Sequence, residues 1–254
     1  EDWQDVNLPH TWNAVDGHDG NGSYDRGCYW YAKSFKTPVQ PLPDGRIILE
    51  ILAAGQQATV YVNGKGEFYH EGGYSIFRVD ITDACREEEE NLLAIACSNE
   101  NKSSVYPQSA DFTFYGGLYR GVNLISVPKA HFDLEHLGSS GFMVTAVPCD
   151  CGGAKFKLES WPVHADENFT VIYSIKDAQG KEVAGAVRPA DSTAVEVYVP
   201  DVTLWDCSNP YLYTVTATLQ RRNEAYDEVS VRAGVRSFSC DPDKGFILNG
   251  IPTP

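Results

Sequence analysis

Ala58-Thr-Val-Tyr-Val-Asn-Gly-Lys65 is the stretch that decides the fold class of this chain. Thr59-Val-Tyr-Val62 is β-branched and aromatic throughout, and the Asn63-Gly64 behind it tolerates the positive φ angles of a two-residue hairpin turn. On either side of it, short apolar runs recur about every ten residues. They are Tyr29 to Phe35, Ile47 to Leu52, Tyr74 to Val79, Leu92 to Cys97 and Leu118 to Val127. Gly, Asn, Asp and Pro separate them, and nowhere do apolar residues hold i, i+3, i+4, i+7 spacing over three turns. The chain reads as all-β.

The composition changes near Val127-Pro128-Lys129-Ala130, and a second series of strands begins with Phe132-Asp-Leu-Glu135. It continues through Phe142 to Val147, Lys155 to Trp161, Phe169 to Ile175, Ala194 to Val199, Tyr211 to Leu219 and Glu228 to Gly234. About seven strands in some hundred residues suit an immunoglobulin-like sandwich, although the Cys…Trp…Cys spacing of antibody domains is absent. In Lys155-Phe-Lys-Leu-Glu-Ser-Trp161 the alternation sets Phe156 and Leu158 on one face and charges on the other. Asp-Pro and Lys-Gly in Cys240-Asp-Pro-Asp-Lys-Gly245 supply turn geometry before a strand at Phe246-Ile-Leu248, and Asn249-Gly250 signals a hairpin. The expectation is that the return strand is missing and that this polypeptide is the front of something longer. Because Glu1 opens straight onto Trp3-Gln-Asp-Val-Asn-Leu-Pro9, a trimmed N-terminus is expected as well.

At 254 residues the chain can form two domains without metals or disulfides. Its seven cysteines are scattered and form no Cys-x-x-Cys pair, which reads as buried reduced thiols on strands. With 35 acidic against 20 basic side chains the net charge is −15, which repels nucleic acid and anionic lipid. No apolar run approaches the ~18 residues of a membrane span, and no charged-then-apolar leader precedes the first strand. Neither nucleic acid nor membrane is an expected partner.

Two loops concentrate Gly, Asp and aromatic residues. Asn13 to Tyr24 offers oxygens at Asp16, Asp19, Asn21 and Ser23, but it fails the calcium-loop pattern: counting from Asp19, Tyr24 stands at the turn glycine and Trp30 at the bidentate Glu. The second, Asn99 to Tyr119, contains Ala110-Asp-Phe-Thr-Phe-Tyr-Gly-Gly-Leu-Tyr-Arg-Gly-Val122. Gly116-Gly117 permits close backbone approach, the aromatics can stack on sugar faces, and Asp111 supplies paired acceptors for vicinal hydroxyls. Two structural alternatives stand beside this: Asp111 as a turn cap and Arg120 as a partly buried ion-pair residue. The six histidines show no metal or nucleophile spacing, and no P-loop or Gly-x-Ser-x-Gly occurs. No catalytic residue and no cofactor site is expected.

Several of these segments together resemble glycoside hydrolase family two, the family of β-galactosidases, β-glucuronidases and β-mannosidases. They are Val6 to Asn13, Tyr24 to Tyr31, Ala58 to Lys65, Gly72 to Thr82, Asp111 to Val122, Gly234 to Phe238 and Gly245 to Gly250. The resemblance implies a jelly-roll sugar-binding domain over 1–128, an immunoglobulin-like sandwich over 129–234, and, in 235–254, a strand or hairpin leading into a TIM barrel outside the chain. It places the acid/base and nucleophile glutamates of a retaining mechanism on that barrel. It implies that Asp111 reaches hydroxyls of the non-reducing sugar. The expected parent is then an exo-acting β-galactosidase, with β-glucuronidase and β-mannosidase as family alternatives, and a stand-alone carbohydrate-binding module as the reading from another class. The expected partners are a terminal β-galactoside and the downstream barrel. A homo-oligomer and a cation in the parent stay open, and the compartment expected is bacterial, cytoplasmic ahead of periplasmic.

Overall fold

The computed structural model describes residues 3–20, 23–37, 44–86, 89–107, 109–110, 112–150 and 152–253. The chain divides into two compact units, Glu1–Pro128 and Lys129–Pro254. Both are built of antiparallel strands, so the chain is all-β: a jelly-roll sandwich followed by an immunoglobulin-like sandwich.

The first unit contains β1 (Cys28–Lys36), β2 (Arg46–Ile51), β3 (Gln57–Val62), β4 (Lys65–Glu71), β5 (Phe77–Asp80), β6 (Glu90–Ser98) and β7 (Val122–Val127). They form a four-stranded sheet, β1-β6-β3-β4, and a three-stranded sheet, β5-β2-β7. Alternation does the work here. Ala58, Val60 and Val62 of β3 and Leu93, Ile95 and Cys97 of β6 face inward and are buried, meeting Ile47, Leu49 and Ile51 of β2 in one core. Asn63 (φ 52°) and Gly64 (φ 79°) make the turn their sequence demands, so that Val62 pairs with Lys65. Strand β4, which the apolar pattern does not show, follows from that turn.

The second unit contains β8 (His131–Phe132), β9 (Phe142–Pro148), β10 (Ala154–Ser160), β11 (Pro162–Val163), β12 (Phe169–Lys176), β13 (Glu182–Pro189), β14 (Ala194–Val199), β15 (Tyr213–Arg221) and β16 (Glu224–Ala233). Its main sheets are β14-β10-β9 and β13-β12-β15-β16. Phe156 and Leu158 of β10 are fully buried against Val171, Tyr173, Val215 and Leu219, while Lys155 and Lys157 stay exposed. One polar pair sits within this core: Ser160 Oγ and Tyr173 Oη are 2.7 Å apart, which satisfies both hydroxyls.

Four expectations are corrected. The strand expected over Phe132-Asp-Leu-Glu135 ends at Phe132, because Asp133 turns to accept the backbone N–H groups of Glu135 and His136. Strand β13 was not anticipated: it is an edge strand whose Ala-Gly-Ala centre carries little apolar signal. The return strand thought to be missing is present. Asn249 (φ 50°) and Gly250 (φ 80°) turn β18 (Gly245–Leu248), itself paired with β17 (Phe238–Asp241), into β19 (Ile251–Pro252), which pairs with Ile247 and Leu248. Finally, buried thiols are the exception: among the described cysteines Cys97 is buried, whereas Cys28, Cys207 and Cys240 are exposed. No helix among the described residues is long and apolar enough to cross a membrane.

Candidate functional site

The two loops singled out by composition are joined by buried asparagines. Asn13, 2% exposed, directs its amide at the second loop: Nδ2 donates to the Phe114 carbonyl (3.1 Å) and to Asp16 Oδ2 (3.0 Å). Its Oδ1 accepts from the Gly116 N–H (2.8 Å) and from Thr11 Oγ1 (2.9 Å). Asn99, fully buried just after β6, bonds the same carbonyl, with Nδ2 3.0 Å from the Phe114 oxygen and 2.9 Å from the Asp25 oxygen. Its Oδ1 accepts from the Gly27 N–H at 2.9 Å. Both amides therefore use their donor and acceptor capacity inside the protein, which makes desolvating them tolerable. Thr113 Oγ1 adds a bond to the Asp16 carbonyl at 2.7 Å.

Glycine lets the backbones come this close. A Cβ on Gly116 would lie 2.0 Å from Trp12 Cζ2, and one on Gly117, whose φ is 103°, would lie 2.2 Å from Tyr31 Oη. Trp12 instead packs on this turn and against Tyr29, with ring centroids 4.5 Å apart and the planes tilted by 40°, so it is a structural wedge. His10 Nδ1 lies 2.8 Å from Tyr31 Oη. Burial pushes the Tyr31 phenol up to about 12, so it stays a neutral partner for that imidazole.

Outside this clamp an open cleft of about 480 Å³ is lined by Tyr24, Arg26, Glu100, Asn101, Ser109, Ala110 and Phe114. Arg26 lies 4.5 Å over the Phe114 ring and donates to the Asn99 carbonyl at 2.9 Å, so the cation is fixed on the aromatic wall. The cleft thus combines aromatic faces with one fixed cation, one carboxylate, one side-chain amide and one serine hydroxyl, a set suited to polyhydroxyl ligands.

Asp111, the substrate-binding residue expected from sequence, lies outside the described residues, as does Asn21 of the first loop. Its neighbour Ala110 lines the cleft. The Asp16 carboxylate offered to a cation in the sequence reading is bonded by the Asn13 amide and by the Asp25 N–H (2.7 Å). No group of three or more potential metal-ligating side chains occurs among the described residues. Arg120 is exposed and donates to the Tyr74 carbonyl at 3.2 Å, which differs from the alternative of a partly buried ion-pair residue. Sequence reasoning missed Asn13 and Asn99 as the residues that hold the site, because an asparagine in a loop carries no sign of a distant partner.

Comparison with known proteins places this geometry. The FMN-binding β-glucuronidase of Faecalibacterium prausnitzii L2-6 superposes with a TM-score of 0.95 at 59% identity, over 99% of this chain and 39% of that one. A β-glucuronidase of Bacteroides fragilis is 29% identical over 100% of this chain and 38% of its own length. A β-galactosidase of Bacteroides ovatus is 31% identical over 99% of this chain and 30% of its own length. The chain therefore spans well under half of the relatives it matches. The sequence profile for the sugar-binding domain of glycosyl hydrolases family 2 matches residues 4–128 and a second profile of the same family matches 143–236, so the chain belongs to glycosyl hydrolases family 2.

Proposed function

We propose that these residues are the non-catalytic front portion of a retaining, exo-acting β-glycosidase, with a terminal β-glucuronide as its first substrate and a β-galactoside as the second. The observation that carries the choice is 59% identity to a β-glucuronidase, against 31% to the B. ovatus β-galactosidase. In this reading the acid/base and nucleophile carboxylates, about 5–5.5 Å apart, belong to a TIM barrel entered through the hairpin at 235–254. The loops of the first unit wall one side of its sugar pocket. Asp111 accepts hydroxyls of the non-reducing sugar from a loop pinned at Phe114 by Asn13 and Asn99, and a pinned loop loses less freedom on binding.

A homo-oligomer in a bacterial cytoplasm or periplasm completes the proposal.

The test is kinetic, on the full-length protein with p-nitrophenyl β-D-glucuronide and β-D-galactoside. The glucuronide is expected to give the higher kcat/KM. Asp111→Ala is expected to lower it by about 10- to 100-fold, the loss of one charged hydrogen bond, with the melting temperature unchanged. Unchanged kinetics would remove the Asp111 role, and hydrolysis by residues 1–254 alone would overturn the non-catalytic reading.

A further inference from the structure

The outer face of the β1-β6-β3-β4 sheet takes no part in the loop clamp. Its register places Trp30, Ala96, Thr59 and Tyr69 in one row across all four strands. Ala32, Ala94, Tyr61 and Gly66 form the next row on one side, and Cys28, Ser98, Gln57 and Glu71 the row on the other. Trp30 is 51% exposed, and its ring centroid is 5.4 Å from that of Tyr61 with the planes 37° apart. Small side chains keep the floor level. Ala94 and Ala96 lie on the strand between the two rings, and a Cβ on Gly66 would stand 2.5 Å from Tyr61 Cε1.

A polar network adjoins this aromatic floor on the same face. Tyr69 Oη lies 3.1 Å from Gln57 Oε1 and 2.8 Å from Glu71 Oε1, Lys102 Nζ bonds both Tyr69 and Glu71, and Ser104 Oγ donates to Glu71 Oε2 at 2.7 Å. Next to it, Ser98 Oγ and Glu100 Oε2 are 3.5 Å apart.

We infer that this face is a binding platform for a neutral oligosaccharide, with Trp30 and Tyr61 stacking on pyranose rings and Gln57, Tyr69, Glu71 and Lys102 bonding their hydroxyls. Three arguments carry it. The negative faces of aromatic rings attract the polarised C–H groups on the flat side of a pyranose, and Trp30, exposed beside a partly buried Tyr61, offers such a face to a docking ring. The adjoining network brings a carboxylate, an amide, a phenol and an ammonium together, so acceptors and donors for sugar hydroxyls stand side by side. Charge decides the class of glycan: Lys102 pairs with Glu71, which leaves Glu100 beside the floor of a chain that carries −15 overall, and this disfavours a uronate polymer. From β1 to β4 the face spans roughly 14 Å, three inter-strand spacings, which is room for more than one ring. The platform rests on none of the groups assigned to hydrolysis.

The test is affinity electrophoresis of the full-length protein in native gels cast with soluble β-glucan, galactan or galactomannan, and separately with polygalacturonate. At least one neutral polymer is expected to retard migration and polygalacturonate is not. Trp30→Ala should weaken the retardation about tenfold, a stacking contact of the usual size. Trp30→Phe should retain most of it and guards against misfolding, and Asp111→Ala should leave it as it is. No retardation by any neutral polymer, retardation only by polygalacturonate, or retardation equal in Trp30→Ala would overturn the inference. A Trp30→Ala variant that instead dissociates a dimer in light scattering would overturn it too, since the face would then join copies of the chain. Absence of glycosidase activity would leave the platform untouched, so the two proposals fail separately.

Discussion

Asn13 and Asn99, far apart in sequence, donate to the same oxygen: their Nδ2 atoms lie 3.1 and 3.0 Å from the Phe114 carbonyl. Each also bonds further groups of its own, so truncating either leaves buried N–H or C=O groups unpaired. We expect Asn13→Ala and Asn99→Ala each to cost about 1–3 kcal/mol in urea unfolding. The double variant should depart from additivity by at least about 0.5 kcal/mol, because the two side chains share one acceptor. Strict additivity would show that the clamp does not act as a unit.

Gly116→Ala tests the closeness of the two loops. The new methyl would meet the Trp12 ring at 2.0 Å, and the indole cannot move without leaving Tyr29 and the core behind it. Overpacking of this kind costs about 1–3 kcal/mol. Tryptophan emission should shift as Trp12 is displaced, and a smaller residue at 12 should recover part of the lost stability. Gly64→Ala, by contrast, meets no atom within 4 Å and is strained only through its φ of 79°.

What the sequence shows and what it hides differ in kind. Asn63-Gly64 announces its turn because the required backbone angles are a property of those two residues alone. Strand β4 is hidden because its inward positions are Phe68 and His70, and a histidine counts as polar in any pattern. In the fold the His70 ring lies 4.0 Å from Phe77, and burial pulls its pKa down. The return strand is hidden because it is two residues long and ends in Pro252, which has no N–H to give a ladder. The site divides in the same way. Gly116-Gly117 and the aromatics around it are visible as composition, whereas the partnership of Asn13 with a carbonyl a hundred residues away is a product of the sandwich itself.

Thiol reactivity follows burial. Burial pushes the Cys97 thiol up to about 12, and its side chain is fully covered between the sheets. Thiolate is the reactive form, so Cys97 should react with Ellman's reagent only on unfolding. Cys207 and Cys240 are exposed and should react in the native protein. Cys28 is also exposed, but burial of the thiol and then the Glu100 charge raise its pKa, so it should react more slowly than those two. Mass mapping of the labelled sites at successive times distinguishes them.

The last prediction concerns acid. The hydrogen bond from Lys102, then those from Ser104 and Tyr69, hold the Glu71 carboxyl down from the ordinary 4.5 to about 2. A carboxyl with a depressed folded-state pKa stabilises the protein above its unfolded pKa, because the unfolded chain then gains nothing by taking up a proton. That contribution should be whole at pH 6, decline once the pH falls below about 4.5, and vanish near 2. Glu71→Gln lacks the titration. Its urea midpoint should therefore lie below that of the parent at pH 6, and the gap should narrow as the pH is lowered from 4.5 towards 3. Because Glu71 and Lys102 are both partly exposed, salt should narrow the gap at pH 6 as well. A gap that is constant with pH would mean that Glu71 acts there through packing and neutral hydrogen bonds, and that its charge contributes nothing to the fold.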